Sequence, residues 1–227
     1  MAVTLTIQGV IPVRPPDPWQ HPLSLVVEED SFLTIRTLPI LGTRLFRLIL
    51  GADTVARGTI SLFGTSPADL DRRGVRQMRS RVGSVLVPDG LVGNMTVRKN
   101  LSLPLIFAAG ISAAEVDRKV DRVMDAFGLE SIALRRPAML PADVRQVVAL
   151  ARAVVGNPAL LLLDDPLASV GTVEMGGLLA MCRHFATTVI AITHRRNQVL
   201  YDSADDVALW DEEGFRMAGQ TMDQVAS

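Results

Sequence analysis

The chain has 227 residues, 48% hydrophobic and 21% charged, and its 23 basic and 24 acidic side chains leave a formal net charge of −1. That composition suits one globular domain with a large core, and the balanced charge excludes the basic field that recruits nucleic acid or an anionic membrane surface. The single cysteine, Cys182, excludes an internal disulfide framework and fits a reducing compartment.

The opening stretch MAVTLTIQGVIPV lacks the basic start and long apolar run of a signal peptide. The reducing compartment makes a cytoplasmic location the expectation, and no uncharged apolar run approaches the ~18 residues of a membrane helix, so at a membrane something else would have to hold the chain. Val3 to Val13 and Leu23 to Arg36 read as β-rich, separated by Pro15, Pro16 and Pro18. Thr43 to Gly51 has apolar residues at helical spacing and a terminal glycine, which predicts a short helix. A strand at 58–63, a basic helix at 71–79 and a buried strand at 82–87 follow. From Thr96 to about Gly156 the pattern turns helical, with Thr96 and Ser112 as caps and a long amphipathic period over 142–155. Strand 160–164, helix 173–184, strand 187–193 and helix 195–201 then alternate as in a parallel sheet, and a hairpin over 206–217 closes the chain. LLLLDDP at 160–166 is the centre of this order: a fully buried strand that delivers two carboxylates to the carboxyl edge of the sheet.

The order and spacing of RLILG (47–51), GTISLFG (58–64), MTVRKNLSLPL (95–105), ALARAVVGNPALLLLDDP (149–166) and AITH (191–194) resemble an ATP-binding-cassette (ABC) ATPase over nearly the whole chain. The block at 95–105 is similar to ATPase subunits of MCE-type lipid transporters and of lipoprotein-export and cell-division systems. The resemblance implies an α/β fold with a P-loop NTPase core, an antiparallel β-subdomain and an inserted helical subdomain. It implies one domain over 1–227, with 1–87 and 158–227 as core and 88–157 as the helical part.

The departures from the family concern chemistry. Family members hold nucleotide in a glycine-rich loop whose amides and lysine surround the phosphates while a hydroxyl ligates magnesium. Here that loop falls on RTLPILGT, 36–43: Arg36, Pro39 and Leu41 replace glycines, Gly42 replaces the lysine, and only Thr43 keeps its type. Pro39 has no N–H to give, and bulky neighbours stand where backbone must approach phosphate. Arg36 or Arg44 could supply a substitute cation; reading both as solvated surface arginines is preferred. Val87 replaces the glutamine that ligates magnesium. The signature that faces the partner's nucleotide maps onto Leu140, Pro141, Ala142, Asp143 and Val144, where Pro141 removes a hydroxyl and Asp143 adds a repulsive charge. The loop that speaks across the family dimer becomes Ala168-Ser169-Val170-Gly171. No tyrosine precedes Tyr201 to stack on adenine, and Trp19 lies too near Leu23 to serve.

Asp164, Asp165 and His194 match the magnesium aspartate, the catalytic carboxylate (normally glutamate) and the switch histidine. In one reading they order magnesium, polarise water and contact a γ-phosphate. In the preferred one they are vestiges that cap neighbouring helices and loops, His194 capping a helix that opens at Arg195, because positioning needs the phosphate held first. The expectation is therefore a pseudo-ATPase with no active catalytic residue, no cofactor and no metal; ATP and magnesium belong only to the alternative of a weakly active ATPase. Expected partners are an integral membrane permease-like subunit and a homodimeric or heterodimeric ABC mate, not nucleic acid. The chain would sit peripherally on the inner face of the cell membrane, possible lipid transport included, and a soluble scaffold is the remaining alternative. Docking is expected around Pro88 to Pro104, through Leu91, Val92, Met95 and Leu101. His21 and His184 have no companions at metal spacing and read as ordinary surface or partly buried histidines, and Cys182 reads as structural rather than nucleophilic.

Overall fold

A computed structural model describes residues 2–16, 19–86, 89–106, 110–166 and 171–218. Contacts gather the chain into two compact units, 1–78 with 188–227, and 79–187. The fold class is the expected α/β, with an antiparallel layer, parallel strands and a helical segment.

In the first unit, β1 (Val3–Pro12) is the middle strand of an antiparallel sheet, flanked by β2 (Leu23–Glu28) and β4 (Val55–Leu62). β2 alternates buried and exposed residues, as a sheet with one covered face requires. β3 (Phe32–Thr37) runs parallel to both β7 (Thr188–Thr193) and β8 (Asp206–Asp211), and β9 (Gly214–Ala218) returns antiparallel to β8. The expected stretch Leu23 to Arg36 thus divides into strands of two different sheets. Asp30 turns the chain between them with φ 60, a left-handed conformation that aspartate tolerates. α1 (Pro39–Ile49) buries Leu41, Leu45, Phe46, Leu48 and Ile49, an apolar stripe at helical spacing. α2 (Arg72–Ser80) follows β4 in sequence, and a short α7 (Gln198–Ser203) precedes β8.

In the second unit, β5 (Val82–Val85) pairs parallel with β6 (Leu160–Asp164). All four leucines of β6 are wholly buried, each worth about 2 kcal/mol of hydrophobic stabilisation. α3 (Val97–Ile106), α4 (Ala113–Ala126), α5 (Ala142–Val154) and α6 (Thr172–Phe185) complete it. Thr96 accepts from the Lys99 amide and Ser112 from the Glu115 amide, so both expected caps are present. A Cβ on Gly83 would meet the Ala153 carbonyl oxygen at 2.2 Å, so only glycine lets α5 lie flush on β5. Among the described residues of 88–157 there are helices and turns and no strand.

Candidate functional site

The first candidate element is the junction between β3 and α1. The expected loop over 36–43, followed by a helix from Thr43, is not what the chain forms. Arg36 and Thr37 finish β3, Leu38 alone makes the connection in extended geometry (φ −72, ψ 146), and Pro39 opens the helix. The cause is local. Proline suits the first helical position because its missing N–H has no intrahelical partner there, and Leu and Ile favour helix over glycine by about 0.5–1 kcal/mol each. The amides of Leu41 and Gly42 both donate to the Leu38 carbonyl, at 3.0 and 3.1 Å. They are spent inside the helix, and Leu41 is wholly buried.

Gly42 has a packing reason of its own: a Cβ there would lie 2.7 Å from Ile192 Cγ2 of β7. Thr43 lies in the body of α1, beside a shallow hollow shared with Pro39, Ile40, Arg44 and Arg47. These residues do not fit a triphosphate and its magnesium, since no nest of amides faces outward from 39–43.

The two arginines are not the solvated side chains expected. Arg44 donates to the Val13 carbonyl at 2.6 Å and pairs with Asp53 at 2.9 Å. Arg47 makes two further bonds to Asp53. The Arg47 hydrogen bonds hold the Asp53 carboxyl below its usual range; burial opposes them and the charges of Arg44 and Arg47 add to them. Arg36 is half-buried, near enough to Tyr201 and Asp211 to bias their protonation. Sequence reasoning missed these ties because the partners lie outside the element that carries each arginine.

His194 does not cap a helix at Arg195. α7 opens at Gln198, and Asn197 caps it by accepting from the Leu200 amide. His194 instead places Nδ1 3.2 Å from the Thr37 carbonyl, tying the segment after β7 to the end of β3. Trp19 is buried edge-on against Trp210, ring centroids 4.6 Å apart, so its faces are closed to a base.

The second unit carries the acidic pair. Asp164 ends β6 at 2% exposure, and Asp165 leaves the strand in the left-handed region, φ 42, which aspartate adopts more readily than bulkier residues. The pair does not cap α6, whose N-cap is Gly171 without a side-chain cap. Of the expected signature, Leu140 is buried, Pro141 is the N-cap of α5 with no side-chain cap bond, and Ala142 and Asp143 are exposed in its first turn. The Asp143 carboxylate complements the positive end of the helix and so opposes an incoming anion. Thr43 and His194 lie in one unit and Asp164, Asp165 and 140–144 in the other.

The segment after β5 is pinned by residues that sequence reasoning did not single out. Arg152 donates to the carbonyls of Asp89 and Gly90, at 2.9 and 2.8 Å, and Arg145 pairs with Asp89 at 3.2 Å. Burial lowers the Arg152 pKa, with Asp89 opposing. Asn100, wholly buried, accepts from the Val92 amide and donates to the Val92 and Thr96 carbonyls. A lone asparagine in a helical pattern carries no spacing signal, so it was illegible. Val87, Pro88 and 168–170 lie outside the described residues.

Leu101 is wholly buried and unavailable for docking, a correction to that expectation, whereas Leu91, Val92 and Met95 are half-buried. Exposed apolar side chains nearby include Ile106 (61%) at the end of α3, and Leu134 (81%) and Met139 (78%) on a segment hydrogen-bonded to the start of α3. Cys182 is buried and its thiol is pushed up to about 12 by desolvation, which makes it a poor nucleophile. Among the described residues no cluster of three metal-ligating side chains occurs, and no helix is long and apolar enough to cross a membrane.

Comparison with known proteins adds the kinship. A family model described as ABC transporter matches residues 42–168, more than half of the chain. A methionine import ATP-binding protein, MetN 2 of Paraburkholderia xenovorans, is 34% identical over 169 residues, 73% of this chain and 43% of that protein. MetN 1 of Pseudomonas fluorescens is 31% identical over 199 residues, 86% of this chain and 59% of that protein. The chain thus spans about half the length of these curated relatives.

Among solved structures, CbiO1 from Clostridium perfringens, part of the ABC transporter complex CbiONQ, superposes with a TM-score of 0.84 at 19% identity, covering 100% of this chain and 92% of that one. An ATP-binding cassette in a post-hydrolysis state bound to ADP and phosphate gives 0.80 at 21% identity, covering 94% and 98%. At such identities the superpositions speak for the fold, which is that of ABC ATPase domains. Fold and matched residues agree: this chain belongs to the ABC transporter family.

Proposed function

We propose that this chain is a nucleotide-independent ABC subunit, a pseudo-ATPase with a structural or regulatory role beside a membrane permease-like partner on the cytoplasmic face. The observation that carries the proposal is the β3–α1 junction: a helix runs through 39–43 and its amides at 41 and 42 are internally bonded. Phosphoryl transfer is catalysis by positioning, and without a held phosphate the two carboxylates have no substrate. Asp143 at the start of α5 adds a second obstacle, on the face that would complete a mate's site. Docking would use the exposed Leu134 and Met139 with half-buried Leu91, Val92 and Met95.

For the transported substrate, the resemblance of 95–105 suggests lipid, and the names of the curated relatives suggest methionine. The longer match favours a small amino acid.

A second reading, a weakly active ATPase, draws on Asp164 and Asp165 at the end of a preserved β6 and on relatives named ATP-binding proteins. Transport in cells carrying Asp164→Ala or Asp165→Asn separates the two. A structural subunit keeps transport within about twofold of wild type, whereas an ATPase loses it. Recovery of the tagged chain from membranes without any integral membrane partner would instead favour the scaffold reading.

A further inference from the structure

We propose that the exposed arginine face of α2 docks into an acidic hollow at the amino ends of β3 and β8 in a second copy of this chain, each copy receiving the helix of the other. This goes beyond the role proposed above, because it pairs two chains through surfaces outside the nucleotide region and needs neither nucleotide nor magnesium.

α2 turns its cations outward. At about 100° per residue, Arg72, Arg73 and Arg76 fall within an arc of about 100° opposite the buried Met78. All three are exposed, and among the described residues none has an ion pair or a hydrogen bond. Arg72 and Arg73 stand in the first turn, which holds no acidic residue. Cations there are repelled by the positive end of the helix, and Asp71, which accepts from the Gly74 amide at 2.7 Å, offsets only part of that charge. The face is thus an array of donors for carboxylates, since each guanidinium can grip one with paired N–H groups.

The same unit supplies the carboxylates. A hollow of about 330 Å3 at the amino ends of β3 and β8 has Glu28 and Asp206 set over Val26, Val27, Leu33 and Met217. Both acidic residues are exposed, and among the described residues neither carboxylate has a partner and no cation lines the hollow. Glu29 and Asp30, also exposed, follow Glu28 in the chain and add to the charge. Val26 and Met217 are 58% and 48% exposed, so an arginine entering here lays its aliphatic stem on apolar surface while the carboxylates take its head. Arginine anchored in this way is a recurrent source of affinity at protein interfaces. The net charge of −1 therefore conceals a separation, with cations on one element and carboxylates on another. A balanced total gives no field for a membrane or for nucleic acid, whereas complementary patches on one surface steer two copies together. Used reciprocally, the patches close as a two-fold dimer.

The test is sedimentation equilibrium of the full chain in EDTA without nucleotide, at about 50 and about 500 mM NaCl. A dimer is expected at low salt and a monomer at high salt, because exposed ion pairs are screened. Arg72→Glu with Arg76→Glu, and separately Glu28→Lys with Asp206→Lys, should each weaken the dimer by at least about tenfold. Mixing the two variants exchanges the charges at both contacts and should restore the dimer. Arg76→Gln and Glu28→Gln, each expected to weaken the dimer by a smaller factor, serve if a reversal fails to fold by circular dichroism. A monomer at both salts, a dimer unmoved by salt or by the variants of either patch, or a mixture of folded variants that stays monomeric overturns the proposal. Cosedimentation of a monomeric chain with phosphatidylglycerol vesicles overturns it too, and would assign the arginine face to a membrane. None of these results bears on whether ATP binds.

Discussion

Two strand ends in this molecule stand where an ABC motor keeps its chemistry, and they have fared differently. At β6 the strand is wholly buried, and Asp164 and Asp165 keep their places. At β3 the strand runs directly into a helix at Pro39, and the loop that should part them is reduced to Leu38. The difference follows from what each segment does for the core. Leu160 to Leu163 hold the second unit together whatever the activity, whereas a phosphate loop contributes little burial and is useful only when phosphate is present. Once bulky residues occupy 38–41, burial of Leu41 and the first turn of α1 take its place.

The contrast between the two ends is most exposed at β6. Leu162→Ala is expected to cost about 3 kcal/mol by denaturant unfolding, because it opens a cavity beneath a strand packed on both faces. A cost below about 1 kcal/mol would mean that β6 is not held for packing, and its persistence would need another cause.

At the other strand end, Gly42→Lys restores the residue type of a phosphate loop. Crowding against Ile192 Cγ2 should cost about 1–3 kcal/mol, less up to about 1 kcal/mol of helix propensity, and no ATP affinity should appear. A stabilised variant that gains ATP binding would show that the junction can still open into a loop.

The smallest effect concerns how α1 is fastened. Asp53 has a lowered folded pKa, so in acid the unfolded chain binds more protons at this group. Its contribution is present above the unfolded value near 3.8 and is lost as pH falls below it through the folded value. Relative to Asp53→Asn, wild type should therefore lead by under about 1 kcal/mol at neutral pH and lose that lead in acid. A lead independent of pH would assign the effect to packing.

Much of the fold was legible because period and caps agree with tertiary structure. The leucine run of β6, the Thr96 and Ser112 caps and the closing hairpin all sit where their residues put them. The start of α1 was misplaced because the family frame imposed a loop on 36–43. Taken by themselves, Pro39 at a first helical position and the Leu and Ile beside it already favour helix. The His194 cap was misplaced for a related reason, since Asn197, a better capping residue, stands three positions later. Asn100, Arg152 and the pairing of Arg44 with Asp53 depend on contacts between elements, which no local pattern encodes.

If helix formation through 39–43 abolishes the phosphate cradle, calorimetric titration with magnesium-ATP will show it without any intermediate step. No saturable heat is expected up to millimolar ATP, for wild type and Asp164→Ala alike. Micromolar binding by wild type that disappears in Asp164→Ala would mean that the cradle survives.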